Sequence, residues 1–93
     1  MPSYIALVHK DPDSDYGVSF PDVPGCISAG KTVEDARVMA VEALTLHIDG
    51  LLDDGASLPR PSTLEELMRD PDSRDALAFI VVEPQLMLPE RVG

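Results

Sequence analysis

Tryptophan is absent, cysteine occurs once, and two tyrosines and two phenylalanines are the whole aromatic complement. One cysteine cannot close an internal disulfide, which excludes a disulfide scaffold and fits a reducing cytoplasm. No apolar run approaches the ~20 residues that span a bilayer, so a membrane role is not expected. The N-terminal MPSYIALVHKD has no basic stretch followed by an apolar one, as a secretory signal would. Basic residues are the scarcest group for their importance. Seven Lys and Arg stand against 17 Asp and Glu, a net charge of −10. Such a chain repels phosphate backbones and draws in basic partners. It also lacks a phosphate-cradling glycine loop, a Cys/His zinc spacing and a basic-aromatic patch. With 93 residues it builds one small domain, better suited to binding or scaffolding than to multi-step catalysis.

What is present is strong punctuation. SYIALVHK (3–10) carries apolar groups on both alternating faces and reads as a central strand. The turn-rich DPDSDYG (11–17) then reverses the chain into a second strand, YGVSF (16–20). PDVPG interrupts it, and CISAGK (26–31) resumes as a third, giving an antiparallel meander. Thr32 is placed to cap a long helix, with Asp35 at its third position. Val33, Ala36, Ala40, Ala43, Leu44, His47, Ile48 and Leu51 gather on its apolar side, with Asp35, Glu42, Asp49 and Asp53 opposite. Gly55 suits the position just past its end. After the connector ASLPRPS, Ser62 and Glu65 predict a capping box on a short helix that stops before Pro71. ALAFIVVEP (76–84) reads as a strand buried on both faces. The crossover through the long helix predicts that this last strand lies beside the first and parallel to it.

Three constellations bear on chemistry. Asp11, Asp13 and Asp15 share the spacing that opens a calcium loop, and Asp22 falls at its twelfth position. Tyr16 stands where that loop needs glycine, so a solvated turn is the better reading. Cys26 with His47 would make a nucleophile and base, but a lone strand cysteine is ordinarily a small buried hydrophobe. Neither a metal nor a cofactor is expected, since the acids lie in turns or along the helix ridge. Met39 and Leu46, seven residues apart, project beside Asp35, Glu42 and Asp49. They read as part of a wide core face or as a partner-facing, self-associating strip.

Residues 16–44, YGVSFPDVPGCISAGKTVEDARVMAVEAL, closely resemble the HicB antitoxin family. The matching positions are Tyr16, Gly17, Phe20, Pro21, Asp22, Pro24, Gly25, Cys26, Gly30 and Thr32, followed by Glu34, Ala36, Ala40, Glu42 and Ala43. The resemblance implies an α+β, partial ribonuclease-H-like fold without a catalytic site: β-β-β-α-(short α)-β, a mixed four-stranded sheet with the long helix on one face. It also implies a small basic HicA-like toxin, an mRNA interferase, as partner. Operator DNA would then be bound only through a C-terminal module beyond these residues. The expected organisation is a toxin-binding domain over 1–84 and a tail over 85–93. The protein is expected to be cytoplasmic and homo-oligomeric. Asp35, Met39, Glu42, Leu46 and Asp49 are the partner-binding candidates, chosen from the acidic ridge and not from the family motif. Alternatives are a self-associating scaffold without a toxin and a carboxylate- or metal-dependent hydrolase.

Overall fold

The computed structural model describes residues 2–85. Three strands, β1 (Tyr4–Lys10), β2 (Tyr16–Ser19) and β3 (Ile27–Gly30), lead into the helix α1 (Val33–Asp53). Two short helices, α2 (Leu64–Met68) and α3 (Pro71–Arg74), precede β4 (Ala78–Val82). The sheet runs β3-β2-β1-β4, and all three pairings are antiparallel. Period-2 alternation sends Tyr4, Ala6, Val18, Phe20 and Val82 to one face, where they pack on Ala36, Ala40, Leu44 and Ile48 of α1. The tail beyond Gln85 lies outside the described residues.

The last strand lies beside the first, as expected, but antiparallel to it, so the sheet is not mixed. The crossover rule assumes that the helix alone returns the chain to the sheet. Here a long connector adds a second passage. At one end of the sheet it is tied down by Tyr4 Oη donating to Pro59 O (2.6 Å) and by Asp22 accepting from Ser62. It reaches the other end at Leu77, whose N–H donates to Val8 O (2.7 Å), and β4 therefore enters from that side. The structure also corrects the burial of β4, which is not buried on both faces: Val82 points toward α1 and is buried, whereas Val81 points to the opposite face and is 64% exposed.

The interruption at 20–26 is two successive turns. Val23 N–H donates to Phe20 O (3.1 Å) and Cys26 N–H to Val23 O (3.0 Å). Pro21 and Pro24 each take the second turn position, and Gly25 (φ 88°) supplies the left-handed geometry of a type II turn. The three-residue spacing aims Phe20, Val23 and Cys26 into the core. The second turn uses Cys26 N–H, so β3 starts at Ile27 rather than at Cys26.

Thr32 caps α1 as the sequence predicts, its Oγ1 accepting from Asp35 N–H at 3.0 Å. The helix ends in a Schellman arrangement: Gly55 (φ 71°) donates to Leu52 O and Ala56 to Leu51 O. Gly30 allows the closest approach of sheet and helix. A Cβ there would stand 2.7 Å from Ala36 Cα and collide with the Ala36 backbone nitrogen. Packing on the sheet starts at Ala36, so Val33, one turn earlier, stays exposed rather than joining the core stripe. The second capping box uses Thr63 and Glu66, one residue later than predicted. The reason is that Ser62 already gives both its N–H and its hydroxyl to Asp22, each at 2.6 Å. Glu66 sits below the ordinary carboxylate range because it accepts from Thr63 N–H and pairs with the Arg60 guanidinium at 3.0 Å.

Candidate functional site

The outward face of α1 is where charge and apolar surface coincide. At 100° per residue, Asp35, Met39, Glu42, Leu46 and Asp49 fall within one narrow band. That band lies opposite Ala36, Ala40, Leu44 and Ile48, the residues that α1 buries. All five are exposed, Met39 by 44% and Leu46 by 74%. The structure therefore brings all the partner-binding candidates to one surface. Met39 and Leu46 keep to one flank of the acids, and their exposure rules out the wide-core reading for them.

Two shallow grooves notch this surface. One, of about 470 Å³, is floored by Ala29 and Gly30 and walled by Val38 and Met39, with Asp15, Lys31 and Asp35 at its rim. The other, of about 280 Å³, is lined by Val41, Glu42, Thr45, Leu46 and Gln85. Thr45 Oγ1 there accepts from Gln85 N–H (2.9 Å), tying the chain after β4 to the helix. Val38 and Asp15 were not among the sequence candidates. Val38 lies three residues after Asp35 and was legible from helical spacing, whereas Asp15 and Gln85 arrive through tertiary packing alone.

The electrostatics are one-sided. Glu34, Asp35, Glu42, Asp49 and Asp53 face a single helix cation, Arg37. Among the described residues the one ion pair is Arg60–Glu66, so these carboxylates have no cationic partner within 4 Å. The last turn of α1 carries no basic residue, and Asp53 and Asp54 add negative charge to the negative end of the helix dipole. Each such charge costs about 0.3–1 kcal/mol at an exposed terminus.

Of the family-signature residues, those from Tyr16 to Thr32 are elsewhere. Phe20 and Cys26 are core, Tyr16 is half-buried beneath Lys10 Nζ (5.5 Å from the ring centroid), and Gly17 stands opposite His9. Pro21, Pro24 and Gly25 shape the double turn, Asp22 anchors the connector, Gly30 admits α1 and Thr32 caps it. Burial pushes the Cys26 thiol up, the opposite of an activated nucleophile. Asp11, Asp13 and Asp15 lie in an exposed turn closed by Ser14 and Lys10. Among the described residues no three His, Cys, Asp or Glu side chains converge as metal ligands, and no helix is long and apolar enough to cross a membrane.

Residues 4–91 match the family described as HicB-like antitoxin of bacterial toxin–antitoxin systems. An uncharacterized 14.9 kDa protein of Haemophilus phage HP1 is 42% identical over 66 residues, which cover 71% of this chain and 50% of that protein. Antitoxin HicB of Escherichia coli K12 is 38% identical over 61 residues, covering 66% of this chain and 44% of that protein. This chain thus spans about half the length of these two relatives. Among solved structures, the N-terminal domain of Burkholderia pseudomallei antitoxin HicB superimposes with a TM-score of 0.75 at 34% identity. That match covers 91% of this chain and all of the other. A chain of a HicA3–HicB3 toxin–antitoxin complex gives a TM-score of 0.71 at 29% identity, over 90% of this chain and 99% of that one. With its double turn, its glycine-seated helix and its sheet order accounted for, the chain belongs to the HicB-like antitoxins of bacterial toxin–antitoxin systems.

Proposed function

We propose that this chain neutralises a small basic HicA-type mRNA interferase by docking the outward face of α1 over the toxin's active site. It performs no chemistry of its own. The observation that carries this reading is the acid-bordered apolar band Asp35–Met39–Glu42–Leu46–Asp49, exposed as a unit on a chain of net charge −10. Carboxylates without a cationic partner among the described residues are available to a basic protein, and their field speeds its approach. Met39 and Leu46 supply the apolar contact that such an interface needs beside its charged residues. The acids at the C-terminal end of α1 weaken the helix, a cost in keeping with retention for a partner. A solved complex of HicA3 with HicB3, similar in fold, supports the choice of partner.

Residues 1–84 act as the toxin-binding domain in this reading. Any operator contact would come through a C-terminal module beyond these residues, since these residues would repel DNA. Co-expression with the basic protein encoded in the neighbouring reading frame tests the proposal. Suppressed mRNA cleavage is the expected result. Undiminished cleavage beside stable, folded antitoxin overturns it. Glu42→Lys with Leu46→Glu should restore cleavage while leaving the fold intact.

A further inference from the structure

The groove between the end of β3 and the first turns of α1 combines apolar surface and charge drawn from separate parts of the fold. Its floor is Ala29 and Gly30, and its walls are Val38 and Met39. Both wall residues are exposed, Val38 by 56%, so this apolar surface is uncovered in the free chain. Two carboxylates stand at the rim, Asp15 just before β2 and Asp35 in the first turn of α1. Neither has an ion-pair or side-chain hydrogen-bond partner among the described residues; it is Asp35 N–H that meets Thr32 Oγ1 and Asp15 O that meets Ser14 Oγ. The parts are also held in place. Gly30 seats β3 against the Ala36 backbone. Lys10 Nζ spans the hairpin before Asp15, donating to Asp11 O (3.0 Å) and Ser14 O (2.8 Å). A groove assembled before its ligand arrives loses little to ordering on binding.

We infer that this groove receives an arginine side chain of the basic partner, its stem on Val38 and Met39 and its guanidinium between Asp15 and Asp35. Long basic side chains bury their methylene stems on apolar surface and keep the charge at the rim. The guanidinium carries five N–H donors in a planar fork, enough to meet two carboxylates at once. The compact ammonium of lysine matches that geometry less well. β3 pairs with β2 alone among the described residues, so its outward carbonyls add acceptors near the floor. Lys31 is the one cation at the rim, and two carboxylates against it leave the rim net negative. Glu34 and Asp35 also offset the positive end of the α1 dipole, so the balance favours a cation over an anion. The inference rests on the toxin-binding reading for the identity of the partner. It extends that reading from the helix band to a pocket that includes the hairpin.

An NMR titration of the chain with the tripeptide Gly-Arg-Gly, blocked at both ends, tests the inference. The lysine and citrulline tripeptides serve as comparisons. Saturable amide shifts at Gly30, Lys31, Val38 and Met39 are expected with arginine. Lysine should bind more weakly, and citrulline, which keeps the shape without the charge, should not bind. Asp15→Asn and Asp35→Asn should each weaken arginine binding about two- to fivefold, the range of an exposed ion pair. Lys31→Gln should strengthen it, because the competing cation is gone. Shifts spread evenly over Glu42, Asp49 and Asp53, or an affinity that ignores both Asp15→Asn and Lys31→Gln, mean diffuse attraction to an acidic surface and overturn the inference. Co-expression separates this result from the toxin-binding proposal. Asp15 lies off the α1 band, so Asp15→Asn should weaken suppression of mRNA cleavage without altering the band. Full suppression by the wild-type chain with no tripeptide in the groove overturns the pocket and leaves the toxin reading standing. No suppression by the wild-type chain overturns the partner, and the tripeptide still decides the pocket.

Discussion

The double turn at 20–26 and the outward face of α1 divide the work of this molecule between them. The turn is dense in specified residues and each has an internal partner: Phe20, Val23 and Cys26 in the core, Asp22 on Ser62, Gly25 in left-handed backbone. The helix face is sparse in specified residues, and its side chains have no ion-pair partner among the described residues. The most recognisable stretch of the chain therefore marks how it folds, while the proposed contact surface carries a weak sequence signal. A motif whose groups are all satisfied within the fold has nothing left to offer a partner.

Substitutions on the two sides should separate stability from binding. Gly30→Val, next to the turn, should have the largest effect. Its side chain would collide with the Ala36 backbone, which cannot yield as a flexible side chain would. A loss of more than about 3 kcal/mol, or failure to fold, is expected in urea denaturation. Asp22→Ala should cost about 2 kcal/mol by leaving the Ser62 N–H and hydroxyl without their acceptor. The same node gives a pH signature. Burial, aided by the Asp22 charge, raises the Tyr4 phenol above its ordinary value. A raised phenol favours the folded state fully below the unfolded pKa of about 10, and the contribution is lost as pH rises through the folded value. Tyr4→Phe should therefore flatten the alkaline limb of the stability curve, measured as urea midpoint against pH.

Smaller effects are expected on the helix. Gly50 lies inside α1 with open space where a Cβ would stand, so Gly50→Ala should raise stability by about 0.5–1 kcal/mol. Leu46→Glu should change the urea midpoint least, by under about 0.5 kcal/mol, because the side chain is 74% exposed. Its toxin affinity, read by titration calorimetry, should fall at least tenfold. A Leu46→Glu variant that unfolds readily would remove the distinction between the two regions.

Local rules explain which features were legible. The Thr32 cap, the Gly55 stop and the first three strands rest on interactions within a few residues of one another. The second capping box was misplaced by one residue because Asp22, forty positions away in sequence, takes the Ser62 hydroxyl. The direction of β4 was misread for a similar reason, since the path of the connector is set by Tyr4–Pro59 and Val8–Leu77 contacts. Of the surface band, helical spacing located Asp35, Met39, Glu42, Leu46 and Asp49. It did not supply Asp15 and Gln85, which come from a hairpin and from the end of β4.

By itself the sequence determined the acidic balance, the family signature, the caps and the periodicity of α1, because charge, turn chemistry and helical spacing are local. Tertiary structure alone decided that β4 runs antiparallel at an edge of the sheet and that Met39 and Leu46 point away from the core. Strand direction depends on where distant hydrogen bonds hold the connector. The exposure of a helix face depends on which of its sides the sheet covers.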